Sequence, residues 1–273
     1  MSVHLAGKLG NVYVANLLLE DCEDAWENGA KGVAALETTI IKVGSGSAKC
    51  TLAAIPGTQA VAMFETMSNP TFDFTNYTHI LCWAYSVPTT VAGDYRISVG
   101  TGAAGATPTT YVTLPALTAT TWKYCHCTEV VGSEMADTTA GTIIALYTWA
   151  NGAENDVIYL DDIRAAKNIA GINSWSLDYT TDTLETTDFA DVGVKAYIVG
   201  GSGWSGSFSG YKYGAPLSIG SQYGIELAES ATTTEMYLGN AVITAVYPST
   251  ASDGIVSYSY DFQGTGALAV SST

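Results

Sequence analysis

Few residues in this 273-residue chain are of types that do covalent chemistry, and their spacing removes most of them. None of the three histidines, His4, His79 and His126, sits beside a nucleophile motif such as GxSxG. Cys125-His126-Cys127 puts two thiols on one face of an extended segment and the imidazole on the other. With no second ligand pair nearby, zinc is not expected there. GSGWSG at 201–206 matches a phosphate-cradling GxGxxG, but a strand pattern rather than a helix follows it. Paired carboxylates for glycoside cleavage are defined by their separation in space, and nothing in the sequence favours them. No catalytic residue is expected. What remains is binding chemistry. Glu20 and Asp21 with Asp161 and Asp162 offer hard oxygens for Ca²⁺ if the ends of one block meet, or are simply solvated. Tyr85, Tyr111, Trp122, Tyr124 and Trp149 offer flat apolar faces for sugars, although most Trp in a β-sandwich are core.

The elements that must position these groups are strands. INSWSLDY alternates Trp175, Leu177 and Tyr179 against Ser174, Ser176 and Asp178, and WSGSFSGY sets Trp204 and Phe208 against Ser205, Ser207 and Ser209. Near the C-terminus Tyr258, Tyr260 and Phe262 oppose Ser257, Ser259 and Asp261. A period of two with one apolar and one small polar face predicts strands packed on one side and wet on the other. Between the first two lies a Thr/Asp-rich stretch, 180–191, read as a long loop. Further strands are predicted at 11–15, 32–43, 48–54, 60–67, 78–86, 95–99, 111–114, 121–128, 141–149, 156–163, 223–228, 236–247 and 254–263, with Gly-rich turns between many of them. Pro216 and Gly220 bracket one expected short helix. The nine strands between 32 and 163 predict an antiparallel jelly roll of about 150 residues, 17–166, with its own core.

Composition agrees. Only 13% of residues are charged, 47% are hydrophobic, and 26 acids against 10 bases give a net charge of −16. Such a chain repels phosphates and anionic membranes, and it is too apolar for disorder. No apolar run approaches the roughly 18 residues of a membrane helix, and the first residues lack the pattern of a signal peptide. Five unevenly spaced cysteines are expected to be reduced and mostly buried.

Three pieces carry a family resemblance: INSWSLDYTTDTLETTDFAD, GWSGSFSGYKY and GIVSYSYDFQGTGAL. They resemble the major tail tube protein of long-tailed bacteriophages. LAGKLGNVYVA resembles that family's first turn and strand, but its expected continuation, NIAGINSW, comes only after Lys167. The resemblance therefore implies a tube domain in two segments, 1–16 and 167–273, with a tail-tube-type β-sandwich or barrel fold interrupted by the jelly roll at 17–166. The insert resembles carbohydrate-binding modules through LLEDCEDAW, KVGSGSAKC, FDFTNYTHILCWAYS, LTATTWKYC and VIYLDDIRA. That likeness implies a structural Ca²⁺ near Glu20, Asp21, Asp161 and Asp162, and no cofactor is required.

What the resemblance implies is a virion protein, made in the host cytoplasm, whose copies stack as hexameric rings into a tube that DNA passes through. Its partners would be itself, the tape-measure and other tail proteins, the passing genome without sequence-specific binding, and weakly a cell-surface glycan, with no membrane. The tube segments hold lysine only at 8, 167, 195 and 212, and no arginine, a balance that would let DNA slide. The lumen face is accordingly expected at Ser174, Ser176, Asp178, Ser205, Ser207, Ser209, Ser257, Ser259 and Asp261, with plain solvent or subunit contact as the alternative. Ring contact is expected from the 180–191 stretch through Thr180, Asp182, Leu184, Glu185, Asp188, Phe189 and Asp191. The rival readings are a carbohydrate-binding adhesin or tail-tip or baseplate component that forms no tube, and less favoured, a glycan-degrading enzyme.

Overall fold

In a computed structural model the chain is described over residues 11–53, 59–66, 71–101, 108–130, 132, 134–149, 154–186, 194–212, 214–229, 236–250, 252 and 254–271. The fold is all-β and antiparallel, and its one described helical turn is the 3₁₀ turn Met135–Asp137. The chain divides into two compact units, Ala15–Asn168 and a second made of Met1–Val14 with Ile169–Thr273. The first strand, β1 (Asn11–Glu20), begins in the split unit and ends in the continuous one.

The continuous unit holds β2 (Glu27–Asn28), β3 (Gly32–Glu37), β4 (Ser47–Leu52), β5 (Ala60–Thr66), β6 (His79–Ser86), β7 (Tyr95–Gly100), β8 (Pro108–Thr113), β9 (Lys123–Glu129), β10 (Ile143–Thr148) and β11 (Val157–Asn168). One sheet runs β3-β4-β11-β6-β9. The other runs β2-β5-β10-β7-β8. Strands four to eleven alternate between the sheets except at the β7–β8 hairpin, which stays within one, the order of a jelly roll. Between them lies a core that includes Leu52, Phe74, Ile80, Tyr95, Ile97, Ile144, Leu146, Ile158 and Leu160. All five cysteines are free and buried. The strand expected over 32–43 stops at Glu37, because its carboxylate accepts the N–H groups of Thr38 and Thr39 (3.1 and 2.9 Å) and turns the chain.

The split unit adds β12 (Ile172–Glu185), β13 (Tyr197–Tyr211), β14 (Gln222–Ala228), β15 (Met236–Ser249), β16 (Ser257–Gly264) and β17 (Ala269–Ser271). Its ladders run β12-β13-β16-β15. The first half of β15 pairs instead with β14 and β17. Trp204, Phe208, Tyr260 and Phe262 fill the core with Val12, Val14, Ile225 and Ile243. Phe208 stacks on Tyr260 at 4.9 Å, and Trp204 donates from Nε1 to the Gly266 carbonyl at 3.0 Å. A Cβ on Gly264 would run into the Trp204 indole, so the FQGTGAL turn needs a glycine there.

Two expectations are corrected. Pro216–Gly220 is a turn, not a helix: Gly220 has φ +79° and donates to the Ile243 carbonyl, so the segment is stitched to a strand. The three residues between the helix signals, Leu217 to Ile219, are also too few to nucleate one. The stretch read as a loop from residue 180 is strand as far as Glu185, because its Thr residues suit a ladder and pair with Tyr197–Gly203.

Candidate functional site

The split unit presents one face built almost wholly of small polar side chains. On β12, Ser174, Ser176 and Asp178 lie opposite Ser209, Ser207 and Ser205 of β13. The Oγ atoms of Ser174 and Ser209 are 2.8 Å apart, and those of Ser176 and Ser207 3.0 Å. The next ladder continues the rows, with Ser209 opposite Ser259 and Ser207 opposite Asp261. On β15, Tyr247 faces Ser259 and Ser249 faces Ser257. The Tyr247 hydroxyl bonds to Asp261, whose charge holds the phenol above its usual range. The nine serines and aspartates singled out above thus share one three-strand surface, and none of them is buried. A groove of about 470 Å³ opens at its edge beside Ser209, Tyr211, Tyr247, Ser257 and Ser259. The reverse face carries the aromatic core, which fixes the register: a slip of one residue would bury the serines and expose the rings.

Beyond this face β12 and β13 continue as a hairpin arm. Leu184 pairs with Ile198, Thr183 with Val199 and Glu185 with Tyr197, while Lys195 and Glu185 form an ion pair of 2.9 Å. Leu184 is 56% exposed, Ile198 53% and Val199 77%, so apolar groups are left open on both faces of the arm. Of the expected contact residues, Thr180, Asp182, Leu184 and Glu185 are on this arm. Asp188, Phe189 and Asp191 lie outside the described residues. Among the described residues β13 is the one strand laddered to β12, and the other edge of β12 is unpaired.

In the jelly roll the five expected sugar-stacking aromatics separate onto opposite sheets. Tyr85 and Trp122 form one row with Tyr159, at 5.5 and 5.2 Å between ring centres, with Lys49 above Tyr159. Tyr111 and Trp149 belong to the other sheet, where Tyr111 stands edge-on to Tyr147 at 5.2 Å and to Trp149 at 5.1 Å. The Arg96 guanidinium carbon lies 3.5 Å above the Trp149 ring. Tyr124 is corrected: it is 1% exposed, packed on Trp83 at 4.8 Å, and offers no face to a ligand. Arg96, Tyr147 and Tyr159 were missed, although ALYTW already sets Tyr147 and Trp149 two residues apart on one strand face.

The four carboxylates expected to hold Ca²⁺ each have polar partners of their own. Glu20 accepts the Cys22 N–H, Asp21 the Glu23 N–H, and Asp162 pairs with Arg164 at 2.9 Å. Asp161 Oδ2 accepts the N–H groups of Lys42 and Val43, and burial raises its pKa to about 6. Its Oδ1 is buried without a partner. Among the described residues no group of three or more such side chains gathers to hold a metal. Cys125 and Cys127 point into the core while His126 packs on His79, with ring centres 4.4 Å apart.

No helix among the described residues is long and apolar enough to cross a membrane. No family model and no curated protein matches the chain. Among solved structures it is similar to a chain of the "Virion of native gene transfer agent (GTA) particle", with 16% identity and a TM-score of 0.33, over 38% of this chain and 88% of that one.

Proposed function

We propose that the chain is a structural virion protein, the self-assembling subunit of a tail tube, with the jelly roll displayed on the tube exterior. The observation that carries this reading is the serine face of β12, β13 and β16. It is wide, small-featured and without Lys or Arg, backed by an aromatic core and ending at an unpaired strand edge. A ligand site would call for a concave pocket with convergent groups. A continuous low-relief polar surface suits a wall past which DNA slides without being held, since basic groups would bind its phosphates. The open edge of β12 and the exposed arm supply what association needs: backbone groups waiting for a neighbouring strand and apolar area waiting for a cover. Repeating one such contact around a ring closes the sheets into a barrel and leaves no edge free. The work is assembly, with hexameric rings, the tape-measure protein and the passing genome as partners.

The second reading, a glycan-binding adhesin or baseplate component that forms no tube, is favoured by the aromatic rows on the jelly roll. Negative-stain microscopy of the purified chain separates the two. Tubes or rings of uniform diameter are expected, and monodisperse single particles at high concentration would overturn the tube reading.

A further inference from the structure

We propose that the outer face of the second jelly-roll sheet binds an acidic sugar ring, with Arg96 taking its carboxylate. This deepens the glycan-contact reading of the jelly roll and rests on it, but does not rest on tube assembly. In a chain with 26 acids against 10 bases, a guanidinium has carboxylates in excess to pair with. Lys49–Glu37, Arg164–Asp162 and Lys195–Glu185 are ion pairs among the described residues, and none of the three takes Arg96. Its Nε is buried without a hydrogen-bond partner, and the carboxylate two residues before it, Asp94, accepts the Val91 N–H at 2.7 Å. What Arg96 has instead is the Trp149 ring at 3.5 Å. Stacking fixes the guanidinium plane and leaves its terminal N–H groups pointing along that plane, the fork that a carboxylate matches with two bonds.

The surroundings select a sugar. Tyr111 and Trp149 are half-buried and stand at 64° to one another, giving an angled apolar corner for the C–H face of a pyranose. Thr113, directly opposite Arg96 in the ladder, adds a hydroxyl at the same row. Nucleic acid is a poor fit, because one guanidinium on a chain of net charge −16 cannot hold a dense row of phosphates. One cation beside one aromatic corner suits one carboxylate per ring, as in a uronic acid polymer.

The test is titration of a galacturonate trisaccharide, and of the same sugar with its carboxyls reduced to alcohols, into the full chain at physiological salt, read by tryptophan fluorescence. The acidic sugar should bind roughly tenfold or more tighter, the scale of hydrogen bonds to a charged group. Arg96→Met should erase that preference and Arg96→Lys keep part of it, while Trp122→Phe on the opposite sheet leaves it unchanged. Equal affinity for the two sugars overturns the role of Arg96 but leaves the glycan reading standing. Binding of neither overturns both. The wild-type comparison needs no variant, so it decides the matter even where a substitution fails to fold.

Discussion

Two half-buried carboxyls, Glu20 and Glu65, and one half-buried imidazole, His79, make the stability of the jelly roll depend on pH in a definite direction. Burial, with Asp24 and Asp21 adding to it, raises Glu20 from 4.5 to about 7. Burial, then Glu27, Asp24 and Glu20, raises Glu65 from 4.5 to about 8. The folded chain keeps protons there that the unfolded chain releases, so stability falls as pH rises through that range. His79 opposes: burial and the neighbouring His126 lower it from 6.5 to about 3, so its contribution is lost as pH falls below 6.5. Between pH 8 and 6.5 only the carboxyls act. The melting temperature should therefore rise as pH is lowered across that interval and go on rising toward about pH 4.5, because Glu20 and Glu65, joined by Asp161 below about 6, outweigh the one imidazole, and Glu65→Gln should flatten the rise between 8 and 6.5. A melting temperature that is constant or falls would contradict this assignment. None of these shifts is readable from the sequence, because each depends on which side chains the fold buries. The same limit applies to the aromatics. Alternation placed Tyr124 and Tyr111 on strand faces equally well, and only the packing of Trp83 over Tyr124 separates them.

At the scale of elements, most strands were legible because the alternation that marks them is local. Trp204 and Phe208 against Ser205, Ser207 and Ser209 is a signal contained in six residues, and the structure places them on opposite faces as expected. What escaped was any strand whose stability comes from its partner and not from its own apolar face. Thr180–Glu185 offers a ladder good β-formers but little to bury, so it read as loop until Tyr197–Gly203 was found beside it. Glu37 ended a strand through its carboxylate, a contact that hydropathy does not encode. The arm that results exposes Leu184, Ile198 and Val199, and this area is what assembly would cover. Ile198→Asp with Val199→Asp should leave the melting temperature within about 1 °C, since surface changes cost little, yet abolish tubes by negative stain. Normal tubes from that variant would remove the arm from assembly. Loss of folding would show instead that the arm holds the split unit together.

At the scale of the whole molecule, the interruption of one unit by the other can be tested by removing it. The split unit resumes at Ile169, whose N–H donates to the carbonyl of Val12 at 3.0 Å. The two ends left by deleting the continuous unit are therefore already neighbours, and closing them with a few Gly and Ser residues costs little loop entropy. The core of the split unit loses nothing by the deletion, because Val12, Val14, Trp204, Phe208, Tyr260 and Phe262 all remain. A chain of residues 1–14 joined to 169–273 should thus melt cooperatively and retain its aromatic near-UV signal. If the serine face and the arm are the parts that assemble, this chain should also form tubes, thinner than those of the full chain by the density of the jelly roll. Folded monomers without tubes would assign a ring contact to the jelly roll and demote it from decoration to a structural part. An unfolded product would mean that the two units share stability, so that the resumption at Ile169 marks a chain crossing and not a separable domain.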